Sequence, residues 1–294
     1  LSFSHSQRRF GKLEDMNPAL LEALRATIHD FGLGAYTDAI IAKALPAVRL
    51  NLAGRSSGAV GESRIGGVPD LPAGMVWPHN TDGALSFIAQ INLGDVPRFE
   101  GNPLPSSGML YFFIGLDEPA SDVDHLVLLH TGDGTLEPAV KPGADEFAGE
   151  NHHDLEPHRL SLELFADVPR WATGDYDALT EHMNEDEQND FGDLGSRNTG
   201  EVGQLLGHVS SIGHDTREDA FVVREVNPAW LYDYRERAKL DMTRAAHWTN
   251  LLRVDSTREV GLSIWDAGFF NVLVKDSDLG RLDFTKLYVA IETS

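Results

Sequence analysis

Gly66-Gly67-Val68-Pro69-Asp70-Leu71-Pro72, then Trp77-Pro78, then Phe87-Ile88-Ala89-Gln90-Ile91-Asn92-Leu93, then Leu104-Pro105-Ser106-Ser107-Gly108 and Met109-Leu110-Tyr111-Phe112-Phe113-Ile114: the reading of this run decides the fold class. Glycine and proline punctuate it because they supply backbone angles that other residues resist. Between the turns lie two short apolar runs of the kind that form buried strands. The link from Leu93 to Met109 is short for a crossover helix, so the strands should pair antiparallel.

Working outward, Asn17 and Pro18 form a helix start, and Leu20, Leu21, Leu24, Ile28 and Phe31 fall on one helical stripe that Gly32 ends. A short helix is expected over Tyr36–Ala44 and a strand over Val48–Leu52, followed by a glycine-rich connector from Gly54 to Gly67. Further strands are expected over His125–His130, Leu160–Phe165, Trp248–Val254, Gly261–Trp265, Phe269–Val274 and Leu287–Ile291. Asp175–Gln188 reads as an acidic helix, and Asn227-Pro228 as the start of a long one ending near Ala246.

The chain also matches itself. Leu251-Leu252-Arg253-Val254-Asp255 answers Ile88-Ala89-Gln90-Ile91-Asn92, and Gly268–Val274 answers Gly108–Ile114, with Leu205-Leu206-Gly207-His208 standing at the turn. The expected organisation is an N-terminal helical segment, 1–47, then one domain, 48–294. That domain holds two repeats, 48–170 and 200–294, joined by an acidic connector. The fold class is α+β: two structurally similar halves, mainly antiparallel β-sheets, with helices packed outside.

The first-half motifs resemble the YwqG-like family, domain of unknown function 1963, and the resemblance runs from about Val48 to Ile291. It implies a fold and a domain extent, and no settled activity. The second half departs from the pattern. A family Gly-Gly-Tyr-Pro turn reads Leu206-Gly207-His208-Val209 here, with Gly213 near the following Gln; Leu-Leu-Gln reads Leu251-Leu252-Arg253; Trp-Gly-Asp-x-Gly reads Ile264-Trp265-Asp266-Ala267-Gly268. Asp266 and Gly268 keep their places. The resemblance implies that any site those polar positions form in relatives is altered or absent.

Composition narrows the functional classes. With 24 basic and 46 acidic residues the net charge is −22, and 15 acids against two arginines fall between Asp145 and Leu194. Nucleic acid and anionic membrane surfaces need a cationic footprint and are excluded as expected partners. There is no cysteine, so disulfides, thiolate sites and Cys nucleophiles are excluded. No run of 18 apolar residues and no charged-then-apolar leader pattern occurs, so the cytoplasm is the default expectation.

Candidate chemistry is sparse. Gly54-Arg55-Ser56-Ser57-Gly58 fits the nucleophile-elbow pattern, but the glycines that follow argue against the helix it requires. Three histidines, His152, His153 and His158, stand among carboxylates and suit a transition metal, although neighbouring side chains in an extended segment point apart. Gln90 is polar in a core strand: it is either hydrogen-bonded to a turn or aimed at a ligand, with Trp77 and Asp266 as companions. No phosphate loop or dinucleotide fingerprint occurs, and no cofactor is expected.

The expected function is an acidic protein-binding module, of the immunity or antitoxin-inhibitor type, meeting a basic partner through Glu185, Asp186, Glu187 and Asp190. The alternatives are a small-molecule-binding protein, or a metal- or carboxylate-dependent hydrolase, with a site between the halves.

Overall fold

The chain enters through a helix whose start is locally encoded. In the computed structural model, which describes residues 16–115, 121–148, 154–195, 200–265 and 267–293, the Asn17 side chain accepts the Leu20 N–H at 2.9 Å and opens α1 (Pro18–Asp30). Then comes α2 (Thr37–Lys43). The strands follow as β1 (Leu45–Arg55), β2 (Arg64–Ile65), β3 (Asp70–Pro72), β4 (Ser86–Asn92), β5 (Met109–Ile114), β6 (His125–His130), β7 (Leu136–Pro138) and β8 (His158–Asp167). Two helices, α3 (Gly174–Thr180) and α4 (Glu185–Leu194), separate these from β9 (Glu201–Leu206), α5 (Thr216–Phe221), α6 (Tyr234–Arg237), β10 (Trp248–Asp255), β11 (Phe269–Lys275), α7 (Asp276–Leu279) and β12 (Tyr288–Glu292).

Ten strands form one antiparallel sheet in the order β12-β11-β10-β9-β1-β8-β2-β4-β5-β6. The fold is α+β, and the halves are built alike. β2-β4-β5-β6 repeats as β9-β10-β11-β12, and the ladder slips at matching places, between Phe87 and Ala89 and between Asn250 and Leu252. The halves share a single sheet because β1 and β8 pair with each other while β1 also pairs with β9 and β8 with β2. Thus β1, which precedes the first four-strand set in the chain, borders the second set, and β8, which precedes the second set, borders the first.

The sheet curls until the chain before β6 reaches β12: Val123 N–H donates to the Val289 carbonyl at 2.9 Å, and Ser121 bridges Ala290. Its concave face holds one continuous core, from Phe112 and Ile91 through Leu50 and Leu160 to Val254 and Val272. The convex face carries three further clusters. The helices α1–α4 cover the centre with Ile28, Tyr176 and Phe191; α5 and the turn after it cover β10–β12 with Phe221 and Val222 against Trp248; the β3–β7 ribbon and the loop after β3 cover β4–β6 with Leu71 and Trp77. Burial of a large apolar side chain contributes roughly 1.5–3 kcal/mol.

Some local expectations differ from the structure. The acidic helix over Asp175–Gln188 is two helices, because Asn184 accepts the Glu187 N–H at 3.0 Å, the Glu187 carboxylate accepts the Asn184 N–H at 2.9 Å, and this capping box starts α4 afresh. The long helix from Asn227 is broken into short turns, since Asp233 and Asp241 cap the backbone at Arg235 and Thr243. Gly261–Trp265 is not a strand; only Leu262 bridges, to Thr257. The segment read as a turn at Leu205–Leu206 ends a strand, β9, and the turn follows it.

Candidate functional site

Gln90 shows where the polar chemistry of the core goes. Its side chain is fully buried on β4. The Asp70 N–H donates to Oε1 at 2.8 Å, and Nε2 donates to Asp70 Oδ2 at 2.8 Å and to the Glu62 carbonyl at 2.9 Å. Both amide N–H donors and one acceptor lone pair are used inside the protein. Asp70 also meets Arg64 at 2.9 Å and the Gly61 N–H at 2.9 Å, and its carbonyl accepts the Tyr111 hydroxyl at 2.5 Å. Burial opposes charge on Asp70, but the bonds from Arg64, Gly61 and Gln90 outweigh it and hold the carboxyl below its ordinary range. The Gly66-Gly67 turn, with φ of 73° and 72°, brings Asp70 back over β4.

The second half uses the same pin with other residues. The turn is Leu206-Gly207, with φ of 61° and 78°. Arg64 donates to the Val68 carbonyl, and Gln204 donates to the His208 carbonyl at 3.4 Å. Where Gln90 grips Asp70, Arg253 donates to Ser210 Oγ at 2.9 Å and pairs with Glu201 at 3.2 Å. Where Tyr111 reaches the Asp70 carbonyl, Asn271 reaches the Ser210 carbonyl at 2.6 Å. The sequence departures in the second half thus exchange the members of a buried polar clasp, and each clasp keeps a buried arginine paired with a carboxylate.

The other sequence candidates disperse. Trp77 is buried, donates Nε1–H to the Leu85 carbonyl at 2.8 Å, and packs edge-on against Phe113 and Phe147. Asp266, His152 and His153 lie outside the described residues. His158 is buried at the start of β8 with Nδ1 3.1 Å from the Glu156 carbonyl. Among the described residues no three His, Cys, Asp or Glu side chains converge to hold a metal ion. Ser56 contacts the Glu62 carboxylate, and the loop after it is not a helix. Glu185, Asp186 and Asp190 are exposed on α4, whereas Glu187 is half-buried and accepts from the Asn184 N–H and, at 2.9 Å, from the Tyr36 hydroxyl.

The residues that sequence reasoning missed form a cleft of about 530 Å³ between α3, α5 and the 3₁₀ turn Met242–His247. Trp171, Asp177, His214, Asp215, Glu218 and Met242 line it. The Trp171 indole is 64% exposed and stands edge-on to Tyr176 at 5.5 Å between centroids. Asp215 caps α5 and is gripped by Arg217, whose guanidinium is buried beneath the cleft. His214 Nε2 lies 2.8 Å from Asp219, and that hydrogen bond raises the imidazole above its usual range. Burial, joined by the charge of Asp215, pushes the Glu218 carboxyl up. The signal was present in Asp215-Thr216-Arg217-Glu218, an N-cap followed at three residues by Glu and then by the apolar run Ala220–Val223.

Among the described residues no helix is long and apolar enough to cross a membrane. No curated protein matches the chain. The match that is found spans residues 63–292, from β2 through β12, and so takes in the side chains of both clasps and the cleft while leaving α1, α2 and β1 outside. It is to the family described as a domain of unknown function, DUF1963, and the chain belongs to that family.

Proposed function

We propose that the protein is an acidic binding module that meets a basic protein, as an inhibitor of the immunity or antitoxin type would. One observation supports the reading most. Asp177, Glu181, Glu185, Asp186, Asp190 and Asp193 are exposed on or beside α3 and α4, and among the described residues none has an ion-pair partner. Carboxylates nearby are spent within the molecule, as Asp175 is on Lys43 and Asp215 on Arg217. A one-signed, uncompensated surface steers an oppositely charged partner and speeds encounter. The cleft beside α3 favours a second reading, a small-molecule binder, because concave sites with an aromatic wall are where small ligands bind.

The test is capture from the native organism's lysate on the immobilised chain, with partners identified by mass spectrometry. Glu185, Asp186 and Asp190 are then changed together to Lys, leaving the capping residue Glu187 intact. Association with the captured basic partner should slow about tenfold or more, and slow further with salt. The melting temperature should hold, since exposed substitutions cost within about 0.5 kcal/mol each. Capture that ignores both the reversal and salt would refute the reading.

A further inference from the structure

We propose that the cleft between α3, α5 and the Met242–His247 turn is a binding site for a guanidinium group of the arginine type. The inference deepens the basic-partner reading and rests on it only for the expectation that the ligand is cationic.

The cavity and the indole carry the argument. Trp171, 64% exposed, lines the cleft and presents aromatic surface beside its carboxylates, the pairing of groups that binds organic cations. The ring is not a loose side chain, because it makes a T-shaped contact with Tyr176, which itself packs on Phe191 at 5.3 Å. An indole face held in place attracts a cation, and a planar guanidinium best of the biological cations because it also stacks. The same cleft is lined by Asp177, which has no ion-pair partner among the described residues, and by Glu218, which is ion-paired with Arg237 at 3.7 Å. Asp215 is already neutralised by Arg217, which leaves Asp177 without a cationic partner and Glu218 held only by its 3.7 Å ion pair with Arg237. Burial, with the charge of Asp215 added, raises the Glu218 carboxyl, and a bound cation would favour its ionised form.

The geometry also discriminates. An anion would face Asp177 and Glu218, while the cations that line the cleft, Arg217 and His214, are engaged by Asp215 and Asp219; a divalent metal finds no converging ligand set among the described residues. A primary ammonium could meet the carboxylates but would lack the flat face that the indole offers.

The experiment is isothermal titration calorimetry of the intact chain with L-arginine amide, L-lysine amide and L-citrulline amide. Citrulline keeps the shape of arginine without its charge. Arginine amide should bind saturably, lysine amide several-fold more weakly, and citrulline amide not at all. Trp171→Ala and Glu218→Gln should each weaken arginine amide about fivefold or more, with far-UV circular dichroism melts confirming that the variants fold. If Trp171→Ala fails to fold, Asp177→Asn and Trp171→Phe replace it, the first expected to weaken binding and the second to retain it. Equal heats from arginine and citrulline amides, no heat from arginine amide, or affinity untouched by every variant, would overturn the proposal.

A second arm separates the two sources of the group. A blocked tripeptide with central arginine that binds more tightly than arginine amide assigns the cleft to a protein side chain, whereas equal or weaker binding assigns it to a free small molecule. The Lys reversal on α4 should leave arginine amide binding unchanged. A partner lost on that reversal, with no arginine amide binding, would therefore sink the cleft and spare the acidic surface.

Discussion

Gln90 exemplifies how single residues are used in this protein. A buried amide could equally have marked a ligand site, and the structure spends all of it on the turn: two donors and one acceptor, all satisfied between 2.8 and 2.9 Å. Gln90→Leu should therefore act on stability. It strands the Asp70 N–H and the Glu62 carbonyl, each costing about 1–3 kcal/mol when buried without a partner, and thermal melting should record a loss of several degrees. The loss should depend on pH. Asp70 is held below its ordinary range, so its contribution is present above the unfolded value of about 3.9 and is lost as pH falls through the lower folded value. Gln90 supplies part of that hold. The stability gap between wild type and variant, measured by urea melts, should hold at neutral pH and narrow as pH falls below about 3.9 through the lower folded value. A constant gap would mean that Gln90 does not support the Asp70 charge.

At the scale of elements, turns decide which strands can meet. Both clasps need two consecutive residues in the left-handed region. Gly66-Gly67 meets this without strain, while Leu206 adopts φ of 61°, at a cost of about 1–2 kcal/mol. Its carbonyl is held by Gln204 at 3.1 Å and Asn250 at 2.8 Å, which explains how a leucine stays there. Gly203 in β9 is less forgiving. Its φ is 158°, and an added Cβ would sit 2.1 Å from the Arg253 carbonyl oxygen on β10. Gly203→Ala should cost about 3 kcal/mol or more and push β9 and β10 apart. Gly54→Ala, at φ of 92° in open space, should cost only about 1–2 kcal/mol. Chemical denaturation of the pair checks the contrast, and equal losses would show that the β9–β10 approach is loose.

For the whole molecule, the exchange of β1 and β8 is the governing fact. Neither half owns a complete sheet, and the concave core runs through both. Separating the halves would expose the edges of β9 and β2 and open that core at once. The chain should therefore unfold in one cooperative step, with calorimetric and van't Hoff enthalpies agreeing in differential scanning calorimetry. Two resolved transitions would show that the halves are independent. The same arrangement sets the electrostatics: the central helices α1–α4 lie over the joint, so the unpaired acids of α3 and α4 project from the middle of the convex face.

What the sequence by itself determined is what neighbours within a few residues can settle. The Asn17 cap, the Gly66-Gly67 turn, the apolar runs of β4, β5, β10 and β11, and the correspondence of Gln90 with Arg253 are all local periodicity or turn chemistry, and all were legible. So was the class of the fold, because short links between strands leave antiparallel pairing as the simple outcome. Tertiary structure alone decided the rest. β1 sits at the centre of the sheet because β8 and β9 need a partner that lies more than 100 residues away in the chain, a choice no local pattern expresses. Whether Gln90 serves a turn or a ligand depends on where Asp70 and Glu62 arrive in space. The cleft gathers residues from Trp171 to Ala246 that no spacing rule connects, because its walls belong to elements packed side by side on the convex face.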